Sequence, residues 1–369
     1  MKIAKIIIVE QPIPCLSNGS WTQRLEYFLK SESNVVDYLI CGETKAIINT
    51  SSKIIGVKQN KNRVVEKLTD RYRYKEYISS LKTIMKDYDH SIILVIDNLK
   101  LKKTVSAFVD KDVDKNKITL MFYNCGFSYF LNSKEHKYFS KNLDEIIFLT
   151  QAAYNFNKQR YNEFIPEVTV LHNPIQKNKF FKITLQEKRN LLEEYNLGDK
   201  KVYLWLSHDR EKKGLTIVLN AWKTWSKTKN NVVLLVVGAS RDKEVANVRF
   251  IGVVPNNKVH VYYKLADVFL FSPLWKEGFG LSLAQAICSG CFCIVANNGG
   301  VADYFTLNDG ILEEEPNRVS HWIENIELSY NKINSGWSNE TAGKQILDIE
   351  QWSDRFAQVF NKWEERIKL

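Results

Sequence analysis

A short segment, KEGFGLSLAQA from Lys276 to Ala286, combines an acid, two glycines and the start of a helix. The apolar stretch DVFLFSP before it predicts a buried strand, and LSLAQAICSG predicts a helix that ends at Gly290. Gly278 and Gly280 let the backbone approach a ligand closely, and N–H groups at a helix start attract an anion. Glu277 beside them is suited to accept hydrogen bonds from sugar hydroxyls. Many glycine-rich turns are only structural, so this segment alone is weak evidence for a phosphate-bearing sugar ligand.

A second loop carries cations in a comparable position. The segment YLWLSHDREKKG is typical of a strand followed by His208, Arg210 and Lys213 before the next helix begins. Cations at the carboxyl end of a strand can bind a diphosphate. Alone, this segment would be interpreted as a solvated charged loop. Because both loops belong to the same half of the chain, they favour a shared phosphate ligand.

The composition is that of a globular protein large enough for two domains: 369 residues, 44% hydrophobic and 25% charged. The net charge is +10, and nearly all of it lies in residues 1–180. This asymmetry predicts an anionic partner, and without a nucleic-acid motif it favours a membrane surface or a phosphorylated acceptor. Apolar runs are too short to span a membrane, so we expect a cytoplasmic protein, peripheral on the inner face of the cell membrane.

One basic segment has two interpretations. Apolar residues at helical spacing over residues 64–85 predict a helix that packs on a sheet. The alternative is that its basic and aromatic residues lie on a membrane surface. The residues concerned are Arg71, Arg73, Tyr74, Lys75 and Tyr77.

Strands and helices alternate along the whole chain, which predicts the α/β class with parallel sheets. We predict strands at KIIIVE, VVDYLICG, SIILVIDN, ITLMFYN, EIIFLT, KVYLWLS, VVLLVVG, VRFIG, DVFLFSP and CFCIVA. Residues 1–177 and 178–351 are therefore expected to form two Rossmann-like, doubly wound domains. Residues 352–369 form a final helix whose aromatic face needs a partner, and we expect it to return to the N-terminal domain.

Several ordered segments resemble the family-4 retaining glycosyltransferases of the GT-B fold (glycosyl transferases group 1). These segments are VLHNPI, SHDREKKG, FIGVVPNNKVHVYYKLADVFLFSP, EGFGLSLAQAICSG and NNGGVADYF. The first half resembles the family only in architecture and in Gly19-Ser20 after the first strand. The resemblance implies two domains facing a cleft, and transfer of a hexose from a nucleotide sugar, with UDP preferred. The basic first half suggests a lipid-linked glycan or glycolipid as the acceptor, as in lipopolysaccharide, capsule or glycolipid synthesis, and a soluble acceptor is the alternative.

The resemblance also implies the roles of individual residues. Glu277 would bind hydroxyls of the donor sugar, while Arg210 and Lys213 would stabilise the departing diphosphate; His208 is the alternative to Arg210. Neither a metal nor a cofactor is expected, because these side chains and the helix start supply the countercharge. The implied donor-binding residues are Gly19, Ser20, His208, Gly238, Val253, Gly278, Phe279, Gly280, Leu281, Ser282 and Gln285.

Two positions depart from the family pattern. Gln285 stands eight positions after Glu277, where the family has a second glutamate that binds the ribose. An amide can still accept a hydrogen bond, but without the help of a charge. Asn124 stands where the family often has a histidine, so Asn124 and Asp97 are the candidates for the residue next to the reacting carbon.

Two other functions compete with transfer. A sugar-nucleotide 2-epimerase of the same architecture would need several carboxylates and histidines in its cleft, and the chain has six His. A non-catalytic sugar-nucleotide-binding protein fits Gln285 and Asn124. It would be expected to have lost Glu277, Arg210 or Lys213, and all three are present. Transfer is therefore the leading hypothesis.

Overall fold

The computed structural model describes residues 1–15, 20–58, 70–112, 114–161, 163–241 and 244–369. The chain divides into two compact units. The first unit consists of Met1–Pro174 and Ile349–Leu369, and the second consists of Ile175–Asp348. Each boundary lies three residues before the one that we predicted, at 177 and at 351.

The first unit contains a parallel sheet of seven strands in the described residues, in the order β3-β2-β1-β4-β5-β6-β7. The strands are β1 (Ile3–Pro12), β2 (Tyr38–Gly42), β3 (Lys53–Val57), β4 (His90–Ile96), β5 (Ile118–Asn124), β6 (Glu145–Phe148) and β7 (Glu167–Val170). Every residue of β4 and β5 is buried, so both strands are continuous apolar runs. We did not predict β3 and β7, because these edge strands are short and partly exposed and lack such a run.

Helices cover this sheet: α1 (Ser20–Lys30), α2 (Asp70–Arg73), α3 (Lys75–Met85), α4 (Leu99–Asp112), α5 (Ser133–Ser140) and α6 (Gln151–Arg160). The membrane interpretation of the segment around α3 is wrong for Tyr74, Tyr77 and Arg73, while Lys75 is exposed. Tyr74 and Tyr77 are buried in the core of the first unit, and Arg73 forms an ion pair with Glu10. Residues 64–69 and the side chain of Arg71 lie outside the described part of the chain.

The C-terminal helix, α12 (Ile349–Lys368), packs in the first unit, as its aromatic face predicts. Trp352, Phe356 and Phe360 are buried. Phe356 meets Phe28 of α1 edge to face, with ring centroids 4.8 Å apart. The first unit thus includes the C-terminal helix, whose aromatic face is buried there.

The second unit contains a parallel sheet of six strands among the described residues, in the order β10-β9-β8-β11-β12-β13. The strands are β8 (Lys201–Leu206), β9 (Val232–Val237), β10 (Val248–Gly252), β11 (Val268–Phe271), β12 (Phe292–Ala296) and β13 (Gly310–Glu313). Its helices are α7 (Leu185–Glu194), α8 (Leu215–Trp225), α9 (His260–Leu265), α10 (Leu281–Cys288) and α11 (Val319–Asn334). The strand order reverses between β8 and β11, as in doubly wound folds.

None of the helices described here is long and apolar enough to cross a membrane. In the same part of the chain, no three His, Cys, Asp or Glu side chains lie together as a metal site would require. Cys288, Cys291 and Cys293 are buried free thiols.

Candidate active site

Two loops of the second unit meet where its strand order reverses. Strands β8 and β11 are hydrogen-bonded neighbours, so the loops that follow them leave the same edge of the sheet. Ser272, directly after β11, accepts a hydrogen bond from Trp205 Nε1 at 3.0 Å and donates one to the carbonyl oxygen of Lys213 at 2.9 Å. In doubly wound folds, ligands bind at this position.

Gly214 allows the two loops to approach each other. Its φ is 72°, and a Cβ atom at this position would lie 2.0 Å from the carbonyl oxygen of Ser272. The backbone N–H of Leu274 also donates to the carbonyl oxygen of Lys212 at 2.8 Å. A side chain at residue 214 would therefore push the loops apart.

The two loops bring Lys213 and Glu277 into direct contact. Lys213 Nζ forms an ion pair with Glu277 Oε1, and both side chains are half-buried. The backbone of Glu277 is held independently, because its N–H donates to Asn298 O at 3.1 Å and its carbonyl oxygen accepts from Gly300 at 2.9 Å. Gly299 has a φ of 93°, and a Cβ there would lie 2.2 Å from the Glu277 carbonyl oxygen. A cation and a carboxylate thus lie side by side at this edge of the sheet.

The start of α10 adds backbone donors to this edge. Gly280 caps the helix with a φ of 83°, and the N–H groups of the first helical turn, at Leu281 and Ser282, have no acceptor within the helix. The side chain of Phe279 points into the core, where it stacks on Tyr304 at 4.5 Å. Tyr304 Oη donates to the carbonyl oxygens of Phe279 and Gly280, at 2.7 and 3.0 Å. Burial raises the pKa of Tyr304 well above its usual value, so its hydroxyl stays protonated as a donor.

The remaining donor-binding residues of the second unit differ in how much surface they offer. His208 and Arg210 are exposed, and no described carboxylate forms an ion pair with either. Val253 is 85% exposed. Gly278 is half-buried in the loop before α10, and Gly238 has a φ of 91°, which favours glycine. Of the three predicted cations, Lys213 alone is in contact with Glu277 in the described structure.

Gln285 has a partner that the sequence did not indicate. Its Oε1 accepts a hydrogen bond from the hydroxyl of buried Tyr263 at 3.1 Å. One lone pair of the amide oxygen is therefore used inside the second unit. The other can still accept from a ribose hydroxyl, and the NH2 group can donate to one.

We expect Gln285→Glu to tighten binding of UDP several-fold. One carboxylate oxygen can accept from Tyr263 and the other from a ribose hydroxyl, and a charged acceptor adds about 1 kcal/mol to a hydrogen bond. Calorimetric titration of UDP into both proteins measures the change, with Tyr263→Phe as the control that frees the side chain of residue 285. Weaker binding by the Glu variant would show that the ligand uses the NH2 of Gln285.

The two candidates for the reacting centre lie in the first unit, at the ends of neighbouring strands. Asn124 is buried, and its Nδ2 donates to Gly126 O at 2.9 Å, so its amide already stabilises a turn. Asp97 is exposed, and its Oδ1 accepts from the backbone N–H of Cys125 at 3.0 Å. Desolvation by the surrounding protein raises the pKa of the Asp97 carboxyl, although Cys125 and Arg24 oppose this. Of the two, Asp97 offers the more accessible side chain.

Gly19 lies outside the described residues, and Ser20 begins α1 with a side chain that is likewise not described. Three supporting residues were missed by sequence reasoning: Ser272, Tyr263 and Tyr304. Only Ser272 carried a usable signal, because a lone polar residue directly after an apolar strand often lies at the ligand edge of a parallel sheet. Tyr263 and Tyr304 have mainly apolar neighbours in the sequence, as core tyrosines commonly do, so nothing marked them as site residues.

Residues 187–334 match the family described as glycosyl transferases group 1. The whole chain is 22% identical to the lipopolysaccharide 1,2-N-acetylglucosaminetransferase of Salmonella typhimurium and covers 91% of that protein.

Solved structures show the same fold. Sucrose-phosphate synthase from Thermosynechococcus elongatus is similar with a TM-score of 0.76 at 12% identity, over 98% of this chain and 100% of that one. Anabaena Alr3699/HepE in complex with UDP and glucose is similar with a TM-score of 0.71 at 12% identity, over 97% of this chain and 100% of that one. The chain therefore has the GT-B fold, with two doubly wound units, and residues 187–334 of its second unit match glycosyl transferases group 1.

Proposed function

We propose that the protein is a family-4 retaining glycosyltransferase that moves a hexose from a nucleotide sugar, preferably UDP-linked, to a membrane-associated acceptor. The acceptor is a lipid-linked glycan or glycolipid in lipopolysaccharide, capsule or glycolipid synthesis. The observation that carries the proposal is the contact between Lys213 and Glu277 beside the start of α10.

The contact provides what the donor side of such a reaction requires. When the bond between the sugar and the diphosphate breaks, its electron pair stays on a phosphate oxygen. Lys213 and the N–H groups of Leu281 and Ser282 offer positive charge to that oxygen, and exposed Arg210 adds a second cation. Glu277 accepts hydrogen bonds from the hydroxyls of the sugar. No metal ion or cofactor is required in this proposal.

Two observations support the donor and the acceptor. The fold neighbour HepE is named as a complex with UDP and glucose, which favours a UDP-linked donor here. The Salmonella relative is named as a lipopolysaccharide glycosyltransferase, which favours a glycolipid acceptor. The basic first half is consistent with a peripheral position on an anionic cytoplasmic membrane face. Arg73, Tyr74 and Tyr77 are not part of that surface in the proposal.

We expect transfer to persist in excess EDTA, because protein cations and backbone N–H groups replace a metal. The assay follows UDP or GDP release from a panel of nucleotide sugars with membrane extract as acceptor, and identifies the products by mass spectrometry. Complete loss of activity that Mn²⁺ or Mg²⁺ restores would contradict the metal-independent design. An epimerised nucleotide sugar without a transfer product would identify the epimerase instead.

A further inference from the structure

The peptide unit between Phe279 and Gly280, directly before α10, is held from the core by a single hydroxyl. Tyr304 Oη lies 2.7 Å from the carbonyl oxygen of Phe279 and 3.0 Å from that of Gly280. The Gly280 oxygen also accepts from the backbone N–H groups of Leu283 at 3.0 Å and Ala284 at 3.1 Å. A hydroxyl has one hydrogen and a carbonyl oxygen has two lone pairs, so Tyr304 donates mainly to Phe279.

This bond sets the direction of the Gly280 N–H. The peptide unit is trans, and in a planar trans peptide the C=O and the N–H point in opposite directions. Because the Phe279 carbonyl points at buried Tyr304, the Gly280 N–H points away from it. No described residue accepts from this N–H, although Gly280 is buried. Buried N–H groups without an acceptor are rare, so this one is expected to have a partner from outside the chain.

The position of Tyr304 is itself fixed by several contacts. Its ring stacks on the ring of Phe279, with centroids 4.5 Å apart. Its backbone carbonyl oxygen accepts from Gln345 Nε2 at 2.9 Å. Gln345 Nε2 also lies 3.3 Å from Oδ2 of buried Asp309, which accepts from the backbone N–H and the hydroxyl of Thr306. Ring and main chain are therefore both held, which leaves the hydroxyl one place to donate.

The hydroxyl of Tyr304 also has a structural role, because a buried carbonyl oxygen without a donor is costly. One rigid peptide plane carries both the Phe279 oxygen and the Gly280 hydrogen, so the same bond fills both roles. The two roles differ in their consequences. Loss of structure weakens the binding of every ligand at the site, whereas loss of orientation weakens only ligands that carry a phosphate.

We propose that Tyr304 is a positioning residue for the donor diphosphate: its hydroxyl orients the peptide so that the Gly280 N–H donates to a phosphate oxygen. Tyr304 does not touch the ligand. The N–H groups of Leu281 and Ser282 supply positive charge at the same helix start, and Gly280 adds a directed hydrogen bond. The inference rests on the nucleotide-sugar donor proposed above and deepens it by naming what aligns the backbone that receives it.

The first arm of the test compares two ligands that differ only in phosphate. Tyr304→Phe removes the hydroxyl and keeps the ring that stacks on Phe279. Calorimetry measures the binding of UDP, and competition with UDP measures the binding of uridine. For the variant we expect about tenfold weaker UDP binding, the loss of one hydrogen bond to a charged group, and uridine binding within about twofold of wild type.

Tyr203→Phe is the matched control. Tyr203 is fully buried in the core of the same unit, and its hydroxyl lies 3.2 Å from Ser329 Oγ, so the variant also removes a buried, hydrogen-bonded hydroxyl. Thermal unfolding of both variants compares the structural cost of that loss. We expect Tyr203→Phe to bind UDP and uridine as wild type does.

The second arm observes Gly280 in the wild-type protein and does not depend on the folding of a variant. Phe279-Gly280 is the one Phe–Gly pair in the sequence. Labelling phenylalanine carbonyl carbons with ¹³C and glycine nitrogens with ¹⁵N therefore gives a single correlated amide signal in an NMR spectrum. We expect UDP to move the Gly280 proton downfield in a saturable way and uridine to leave it nearly unchanged, because only UDP offers a phosphate oxygen.

Three results would overturn the role of Tyr304. These are equal UDP affinity in wild type and Tyr304→Phe, equal losses of UDP and uridine binding in the variant, and a wild-type Gly280 signal that does not respond to saturating UDP. If wild type binds another nucleoside diphosphate more tightly, that nucleotide and its nucleoside replace UDP and uridine. Failure of wild type to bind any nucleoside diphosphate would instead refute the proposed donor function on which the inference rests.

Discussion

Glu277→Ala should abolish transfer and leave the fold of the second unit intact. Glu277 is half-buried, and the bonds that hold its loop are made by its backbone with Asn298 and Gly300. The variant removes the acceptor for sugar hydroxyls and leaves Lys213 without its ion-pair partner. Removing one preorganised polar group from an active site typically lowers kcat by about 100- to 1,000-fold. Initial rates with the best nucleotide sugar of the panel, together with circular dichroism, give both results.

The ion pair between Lys213 and Glu277 allows a second test of this prediction with a double variant. If Lys213 and Glu277 act as one unit, Lys213→Met should cost about as much activity as Glu277→Ala, and the double variant little more. Lys212→Met is the matched control, because Lys212 is the exposed neighbour and should lose little. Turnover near the wild-type level in Glu277→Ala, or fully additive losses in the double variant, would contradict the paired role.

Glu145→Ala should reduce the hydrogen-exchange protection of the C-terminal helix more than any single substitution of an exposed residue that contacts this helix. The Glu145 side chain is completely buried, and Lys362 Nζ donates to it at 2.8 Å. It also accepts from Trp363 Nε1 and from the hydroxyl of Thr169. The variant would leave these donors of β7 and α12 without their acceptor. Removing one partner of a fully buried ion pair typically destabilises a protein by about 3–5 kcal/mol, and we expect a smaller loss here because the Lys362 side chain is 33% exposed.

Hydrogen exchange of peptides from Ile349–Lys368 measures this effect locally, which avoids treating a protein of two units as a single unfolding step. Glu167→Ala is the matched control. Glu167 in β7 forms an ion pair at 2.6 Å with Arg366 of the C-terminal helix, but both side chains are nearly half exposed. Such surface pairs contribute about 0–1 kcal/mol. Equal protection in Glu145→Ala and Glu167→Ala would show that Glu145 does not anchor the helix.

Sequence alone determined the fold class and the site loops of the second unit. Buried parallel strands such as β4, β5 and β9 are apolar throughout, so the pattern of the sequence shows them directly. The glycines before α10 mark a backbone that needs positive φ, as Gly280 has. The family resemblance, which rests on the same local segments, then supplied the glycosyltransferase function.

Tertiary structure decided the partners of the individual side chains. Lys213 and Glu277 are far apart in the chain and meet because β8 and β11 are neighbours in the sheet. The same holds for Tyr263 with Gln285, and for Tyr304 with Phe279. Tyr74 and Tyr77 resemble a membrane-facing pair in sequence, yet the sheet buries them. Local periodicity reports which face of an element is apolar, whereas a side chain's partner depends on strand order, which no local pattern encodes.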